Sequence, residues 1–410
     1  MTGIERQHLA ALLARADVAA LFSVLNRDGE EARIVGGAVR NALIGEPVAD
    51  VDIATTCLPQ VTMRRARAAG FKVIPTGIDH GTVTVVIDGA PLEVTTLRRD
   101  VETDGRHAVV AFGRDFREDA LRRDFTINAL GLDAVGALHD YADGLADLSA
   151  RRVRFIGAAS ERIAEDYLRI LRFFRFHARY GVGEPDRVAL AACIAGRAGL
   201  EGLSRERVWA ELRKLLVAPR AVETLQAMAG AGLLMPVIGG VPRLSRFTAI
   251  ADGPGEGVYP AFRLAALAVA VSEDALRLRE RLRLSNAEFE RIADIAAALE
   301  ALSGKRALPE VAGLRRLAVR IGADAVAGAL VLLGTTETSA DIHALIVELT
   351  RTPPFLPTGK DVLALGVSAG PKVGQALDMA REAWIEAGCP AGREAQMALL
   401  ARVIDTEVPP

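Results

Sequence analysis

The sequence has little cysteine, and its three cysteines lie far apart. Cys57, Cys193 and Cys389 form no closely spaced pair, so the sequence predicts neither a disulfide framework nor a zinc knuckle. Such cysteine usage is typical of a reducing compartment, and we expect a cytoplasmic protein. The N-terminal segment has the periodicity of an amphipathic helix and includes Glu5 and Asp17, which disfavour a signal or transit peptide.

Long apolar runs and an excess of either charge are also absent. The longest uncharged apolar run, at 325–334, is far shorter than the ~20 residues that a bilayer-spanning helix needs, so we expect no membrane contact. The chain has 50 Lys and Arg against 52 Asp and Glu, a net charge of −2. Any contact with a nucleic acid must therefore come from local basic patches.

The hydrophobic periodicity changes along the chain and predicts two kinds of structure. Apolar and polar residues alternate between about 33 and 96, which predicts short strands. The predicted strands are at 33–35, 51–53, 71–74, 81–87 and 92–96, with one helix at 38–44 and a hairpin turn at Asp88-Gly89. Residues 97–120 are polar and predict a loop. After about residue 145 the helical period persists.

We therefore predict an α+β protein, in which a small mixed-sheet head precedes a long all-α part. The expected divisions are a head at 1–145, a helical neck at 146–240, a helical body at 241–352 and a helical tail at 353–410. In the tail, the candidates for nucleic-acid contact are Lys360, Lys372 and the glycines near them. The alternative is that these residues only end helices.

Two aspartates separated by one residue are the first candidate for chemistry. Asp50 and Asp52 lie on a predicted strand, where residues i and i+2 share a face with Cα atoms ~6.5 Å apart. Adjacent carboxylates repel unless a cation lies between them, and two Mg²⁺ ions ~3.5–4 Å apart serve phosphoryl transfer. Glu93, on another predicted strand, is a candidate third carboxylate. The alternative is ordinary polar residues on the outside of the strands.

A glycine pair precedes these aspartates. Gly36 and Gly37 follow a predicted strand and begin a helix, so their backbone N–H groups can approach a phosphate. Arg40 lies one turn further and is a candidate for the same anion. A tight turn without a ligand is the alternative interpretation of the two glycines.

The stretch at 120–130, ALRRDFTINAL, places charged residues just before an apolar segment. Arg123 and Asp124 are candidates for gripping a ribose and a phosphate, with Asn128 as a further hydrogen-bonding group. Arginines at a helix start lie at the unfavourable end of its dipole, which hints at an anionic partner. A surface ion pair is the alternative.

A helix predicted at 160–180 contains the candidate for base selection. Asp166 and Arg169 are spaced to lie next to each other on one face, and Arg172 lies at the edge of the same charged arc. Cytosine and adenine present an amino donor beside a ring-nitrogen acceptor, which an Asp and an Arg can read, whereas guanine and uracil present the reverse polarity. Each mismatch would cost ~1–3 kcal/mol. The alternative is a solvated charged face.

Five stretches that follow one another in order now support a resemblance. They are GGAVR with DVD, LEVTTLR with TDGRHA, RRDFTINAL, the run from Asp140 through GLADL to RVRFIG, and ERIAEDYLRILRFFRF. Together they resemble the motifs of the class II tRNA nucleotidyltransferases, the CCA-adding enzymes, to which bacterial poly(A) polymerases are close relatives. The resemblance is dense over about 30–180, and a further stretch at 203–216, LSRERVWAELRKLL, resembles the family's neck motif.

The resemblance implies a polymerase-beta-like nucleotidyltransferase head and a role for each matching residue. Asp50 and Asp52, with Glu93 as a candidate third carboxylate, would hold two Mg²⁺ ions. The remaining roles are nucleotide binding by Gly36, Gly37, Arg40, Arg123, Asp124, Asn128, Asp166, Arg169 and Arg172, and a switch from C to A addition by a flexible loop at Asp104, Gly105 and Arg106. The substrates would be tRNA, CTP and ATP, with the tRNA along the helical tail and no protein partner implied.

Two features depart from the resemblance or limit it. Asn41 stands where the family usually has Asp. The only histidine after residue 180 is His343, so we expect no appended phosphohydrolase domain. A poly(A) polymerase on the same scaffold, a catalytically idle RNA-binding protein and a small-molecule nucleotidyltransferase remain alternatives. The first of these shares both Gly-Gly and the paired aspartates.

Overall fold

The computed structural model describes residues 2–103, 108–251, 259–303, 309–334 and 339–407. The chain divides into two compact units. The first comprises Met1–Glu211 and Ala218–Leu233, and the second comprises Leu212–Val217 and Leu234–Pro410. The finer division into head, neck, body and tail stays a prediction.

The first unit contains a mixed sheet and its covering helices. Its strands are β1 Ala32–Val35, β2 Asp52–Thr55, β3 Lys72–Gly77, β4 Thr82–Ile87, β5 Ala90–Thr96, β6 Arg98–Thr103, β7 Ala108–Phe112, β8 Gly131–Leu132 and β9 Leu138–His139. Its helices are α1 Gly3–Leu13, α2 Ala16–Leu25, α3 Gly37–Leu43, α4 Pro59–Ala68, α5 Phe116–Leu121, α6 Gly144–Ser149, α7 Ala159–Glu165, α8 Leu168–Tyr180, α9 Arg187–Ala195, α10 Arg205–Leu216, which continues into the second unit, and α11 Ala221–Gly230.

Seven strands form the main sheet in the order β3-β4-β5-β2-β1-β8-β9. Strand β2 pairs antiparallel with β1 and parallel with β5, so β2 lies near the middle of the sheet. The expected turn between β4 and β5 is present, because Asp88 and Gly89 both have positive φ, at 50° and 81°. Two positive φ values are what a type I′ hairpin turn requires. The mixed sheet followed by helices confirms the predicted α+β class.

The loop predicted at 97–120 is wrong. Strands β6 and β7 form a separate two-stranded antiparallel sheet, and α5 follows. A two-stranded ribbon buries little apolar surface, so its strands need not show a clear alternation. Helix α5 is too short for a periodic pattern, and its N-cap is Asp115, whose carboxylate accepts the amide of Arg117 at 2.7 Å.

The single helix predicted at 160–180 is also wrong, because it is broken into α7 and α8. Asp166 has an extended backbone, with φ −158° and ψ 106°. Its side chain accepts the amide of Leu168 at 3.1 Å. Aspartate side chains compete with helical hydrogen bonds in this way, so the residue proposed to select bases sits at a helix break.

The second unit is helical in its described part. Its remaining helices are α12 Leu234–Ile238, α13 Leu244–Ala251, α14 Pro260–Ala268, α15 Ser272–Leu282, α16 Asn286–Leu302, α17 Val311–Ile321, α18 Ala323–Leu332, α19 Ser339–Thr350, α20 Gly359–Ala364, α21 Pro371–Glu386 and α22 Arg393–Glu407. Ser285 and Glu288 form a capping box at the start of α16. No single helix in the described ranges is long and apolar enough to cross a membrane, and only the bent pair α1 and α2 passes that test jointly.

Candidate active site

Two of the three candidate carboxylates lie on one face of the main sheet, whereas Asp50 precedes β2 and is not on the strand as predicted. Asp52 begins β2, and it is paired with Val35 of β1 on one side and with Glu93 of β5 on the other. Residues paired in register on neighbouring strands project from the same face. Asp52 and Glu93 are both exposed, as is Asp50, two residues before Asp52. The structure therefore places all three predicted carboxylates around the start of β2.

This carboxylate group has the character of a cation site without being a closed cage. Desolvation raises the pKa of Asp52, and the negative charges of Glu93 and Asp50 raise it further, while Arg123 opposes them. Among the described residues, no three Asp, Glu, His or Cys side chains are arranged to hold a metal ion by themselves. Mg²⁺ is commonly held by one or two carboxylates together with substrate phosphates, and these residues fit that pattern.

The turn between β1 and α3 demands glycine at its first position. Gly36 has φ 69° and ψ −122°, a conformation that residues with a Cβ rarely adopt. A Cβ atom there would lie 3.2 Å from Nη1 of Arg123, so the guanidinium packs directly on the glycine. The amide of Gly36 donates to the Leu130 carbonyl at 3.0 Å. At Gly37 the nearest atom to an added Cβ, Nη2 of Arg40, is 3.6 Å away, an ordinary contact.

Asp119 of α5 orients the two arginines that follow it. Its Oδ1 accepts from Arg122 at 2.7 Å, and its Oδ2 accepts from Arg123 at 3.1 Å. Burial alone would raise the pKa of Asp119, but the two guanidinium groups lower it by more. Arg123 is thereby held beside both Gly36 and the charge of Asp52.

Arg40 is turned into the protein rather than toward an open cleft. Only 6% of its surface is exposed, and its guanidinium donates to the side-chain oxygens of Asn128, Asn41 and Tyr180 at 2.5, 3.1 and 2.7 Å. The Tyr180 ring lies 4.0 Å from its Cζ atom. Burial lowers the pKa of Arg40. Asn41, where the family usually has Asp, therefore meets Arg40 as a neutral acceptor.

Asp124 and Arg172 are likewise paired inside the first unit. The Asp124 carboxylate accepts from Nε and Nη2 of Arg172 at 2.8 and 2.6 Å and from Nδ2 of Asn128 at 2.9 Å. Burial alone would raise the pKa of Asp124, but Arg172, Asn128 and the amide of Phe125 lower it by more. Both carboxylate oxygens of Asp124 are thus engaged within the protein. Glu211 lies 3.8 Å beyond Arg172.

Asp166 and Arg169 do not pair with each other. The Asp166 carboxylate accepts from Nη2 of Arg207 on α10 at 2.6 Å. The guanidinium of Arg169 forms an ion pair with Glu165 and donates to the carbonyl of Arg162 at 2.8 Å. Each member of the predicted base-selecting pair therefore has its own partner.

Sequence reasoning missed several of these partners, and the predicted loop lies outside the described residues. Asp104, Gly105 and Arg106 fall in the gap at 104–107. The missed side chains are those that orient a predicted residue, namely Asp119, Glu165, Tyr180, Arg207 and Glu211. A partial signal existed for the last two, because the neck-like stretch LSRERVWAELRKLL contains both.

Known proteins resemble this chain over its whole described fold. The profile of the family described as "Poly A polymerase head domain" matches residues 32–154, and that described as "Probable RNA and SrmB- binding site of polymerase A" matches 186–245. The protein named "CCA tRNA nucleotidyltransferase 1, mitochondrial" of Mus musculus is 35% identical over 384 residues, which cover 90% of this chain and 86% of the relative. The chain belongs to the CCA tRNA nucleotidyltransferase family.

Other members of the CCA-adding family agree with this membership. The CCA-adding enzyme of Streptococcus pyogenes serotype M2 is 41% identical over 210 residues, 51% of each chain. A solved structure of the Bacillus stearothermophilus CCA-adding enzyme in complex with CTP is 28% identical, with a TM-score of 0.74 and 99% of each chain covered. The Thermotoga maritima CCA-adding enzyme complexed with tRNA shares the fold, with a TM-score of 0.67 at 17% identity. The present chain is thus a nucleotidyltransferase with a head and a helical part.

Proposed function

We propose that this protein adds C, C and A to the 3′ end of tRNA from CTP and ATP, without a nucleic-acid template and with release of pyrophosphate. The observation that carries the proposal is the register of β2. It places Asp52 between Glu93 and the strand that leads into the Gly36 turn. Carboxylates and a glycine turn with a cation, Arg123, are thereby brought together at one end of the central strands.

Asp50 and Asp52 would hold the Mg²⁺ ions of this reaction, with Glu93 as the candidate third carboxylate. Bound Mg²⁺ in such sites activates the attacking 3′-hydroxyl and neutralises charge on the triphosphate. Desolvation and the negative charges of Glu93 and Asp50 raise the pKa of Asp52, and a bound cation would relieve this repulsion. These residues contribute negative charge at a fixed spacing, which the rigid centre of the sheet maintains.

The triphosphate would lie against the Gly36-Gly37 turn and Arg123. Gly37 begins α3, and the first-turn N–H groups of a helix have no partner within it. Arg123 supplies a guanidinium that Asp119 holds in place. Arg40 lies beneath the turn, where its charge rather than a direct contact would favour the anion. Asp124, Asn128 and Arg172 would position these groups from the protein side.

The base would be read by Asp166 and Arg169. The Asp166 carboxylate would accept from the exocyclic amino group of cytosine or adenine, and Arg169 would donate to the adjacent ring nitrogen. Two mismatched groups at ~1–3 kcal/mol each correspond to roughly 10²–10⁴-fold rejection of uracil and guanine. The loop at 104–106 would assist the change from C to A addition.

Three labelled tRNA transcripts test the function, ending before CCA, at the first C and at the second C. Each is incubated with the protein, Mg²⁺ and one nucleotide. We expect CTP to extend the first transcript by two residues and stop, and ATP to add one residue to the third. Long tails from ATP alone would replace this proposal with poly(A) synthesis. Binding without extension would identify an idle RNA-binding protein.

Two further expectations stay proposals. We propose that the tRNA lies along the segment at 353–410, where Lys360 and Lys372 are exposed. We also propose a cytoplasmic location, which fractionation of the source cells can test. The mammalian relatives carry "mitochondrial" in their names, so recovery in an organelle fraction would contradict it.

A further inference from the structure

The break between α7 and α8 leaves Asp166 with two fixed contacts. Its Oδ1 accepts the amide of Leu168 at 3.1 Å, and its Oδ2 accepts from Nη2 of Arg207 at 2.6 Å. The first contact comes from the adjacent chain, whereas Arg207 comes from α10, 41 residues away. The carboxylate is therefore held on one side by its own turn and on the other by a different helix.

We infer that Arg207 is a positioning residue that fixes the Asp166 carboxylate as a hydrogen-bond acceptor for base selection. The inference rests on the proposed function, because it concerns the residue that would read the base. Arg207 acts through Asp166, and its contact with the carboxylate determines where the accepting oxygens point.

The contact leaves room for a base. An ionised carboxylate accepts about four hydrogen bonds, and Asp166 makes two of the kind described above. An exocyclic amino group can therefore be accepted while Arg207 stays in place. A carbonyl oxygen at the same position would face the Asp166 carboxylate, and no hydrogen bond could form between them because both groups only accept.

Arg169 retains donors for the neighbouring ring nitrogen. Its Nη1 atom makes the contacts to Glu165 and to the Arg162 carbonyl. In the part of the chain that the structure describes, its Nε and Nη2 atoms make no hydrogen bond. Glu165 thus does for Arg169 what Arg207 does for Asp166: each holds one reading group and leaves polar atoms available.

The test compares Arg207→Gln, Arg207→Lys and a matched control, Arg213→Gln. Arg213 is exposed on the same helix, so its replacement removes the same charge without touching Asp166. Steady-state kinetics with CTP, ATP, UTP and GTP are measured on transcripts that end before CCA and at the second C. Calorimetric binding of CTP and UTP without tRNA gives a readout that does not need turnover, and melting curves show whether each variant folds.

We expect Arg207→Gln to lower kcat/KM for CTP and ATP by roughly 10–100-fold, the size of one charge-assisted hydrogen bond. The ratio of kcat/KM for CTP to that for UTP should fall, because UTP forms no hydrogen bond with the Asp166 carboxylate that Arg207 orients. Arg207→Lys should recover part of the preference, since it restores the charge and one donor. Arg213→Gln should keep the wild-type preference.

Two results would overturn the inference. Equal losses for CTP and UTP would give Arg207 a general structural or tRNA-binding role. Tighter CTP binding in Arg207→Gln would show that Arg207 competes with the base for the Asp166 carboxylate instead of orienting that carboxylate. A double-mutant cycle adds a check: in an Asp166→Asn background, Arg207→Gln should cause no further change in preference.

Failure of the proposed function is distinguishable from failure of this inference. If the wild-type protein adds no C, C and A, the function fails, and the binding preference still decides the role of Arg207. If Arg207→Gln does not fold, Arg207→Lys replaces it in the test. The inference then requires that Arg207→Lys prefers CTP over UTP less strongly than the wild type does.

Discussion

Gly36 and Gly37 are neighbours in sequence but differ in what a methyl group would meet. At Gly36 the positive φ alone makes alanine strained by about 1–3 kcal/mol, and the added Cβ would press on Arg123. We expect Gly36→Ala to lower both the melting temperature and turnover. Gly37→Ala, with helical backbone and an ordinary contact, should fold normally. If Gly36→Ala melts like the wild type, the strain argument fails.

The Gly37→Ala variant also distinguishes an effect on folding from an effect on phosphate binding. Activity lost in a fully folded Gly37→Ala protein would mean that the triphosphate approaches the backbone at this position. Retained activity would show that the site does not require glycine at position 37. The KM for CTP, measured beside the melting curve, distinguishes these outcomes.

Asp52 and Asp50 are expected to be dispensable for tRNA binding and necessary for chemistry. Metal ions in such sites supply several kcal/mol of transition-state stabilisation, so Asp52→Ala or Asp50→Ala should lower turnover at least roughly 10³-fold. Filter binding of tRNA should change little. Wild-type turnover in either variant would exclude the metal assignment, and Glu93→Gln measured in parallel shows whether the third carboxylate is needed.

At the scale of elements, the Asp124–Arg172 pair joins the turn after α5 to α8. The pKa of Asp124 is lowered in the folded state, so its charge stabilises the fold above the unfolded value of about 3.9 and this contribution is lost as the pH falls through the folded pKa. Asp124→Asn would leave the half-buried Arg172 beside a neutral group, at a cost of about 1–3 kcal/mol at pH 7.

The difference between wild type and Asp124→Asn should therefore shrink below about pH 4. Calorimetric melting at pH 7, 5 and 3.5 measures it. A difference that stays constant over this range would mean that lost packing, rather than lost charge, destabilises the variant.

Elements with a strong local signal could be predicted from the sequence, and those set by distant contacts could not. Strand β5 and the hairpin turn at Asp88-Gly89 followed from alternation and turn residues. The break at Asp166 did not, because the apolar period of the surrounding sequence continues through it. The ribbon of β6 and β7 was missed because its polar composition resembles that of a loop.

The same distinction applies to the candidate site. The spacing of Asp50 and Asp52 predicted two neighbouring carboxylates on one strand, but β2 begins only at Asp52, so the shared strand face was not found. The partner of Asp166 was not predictable, because Arg207 is brought to it by the packing of α10. Arg40 was expected at the triphosphate, yet its contacts with Asn128 and Tyr180 depend on residues far away in the sequence.

At the scale of the whole molecule, the balance of charge limits how strongly salt affects tRNA binding. A net charge of −2 leaves only local cations to displace counterions, so we expect a log–log slope of affinity against salt no steeper than about −4. Replacing Lys360 and Lys372 together by Gln should make the slope shallower by one to two. Lys72→Gln, at an exposed position on β3, is the control for the loss of one lysine charge and should be compared with each single tail variant.

A much steeper wild-type slope would contradict the expectation of a modest electrostatic contribution. An unchanged slope in the double variant would remove the tail lysines from the tRNA-binding surface. Filter binding of a transcript that lacks CCA, at several salt concentrations, provides both measurements.

A hydrogen-bonded network runs from Arg40 through Asn128 and Asp124 to Arg172. This network limits where related genes can recombine. Its first three members lie within the head profile, whereas Arg172 lies between that profile and the next. A recombination event at the end of the head profile would separate a buried carboxylate from its cation. When two parental genes differ at these positions, a crossover there should encode an unstable chimeric protein. Recombination between related genes should therefore favour breakpoints beyond residue 172.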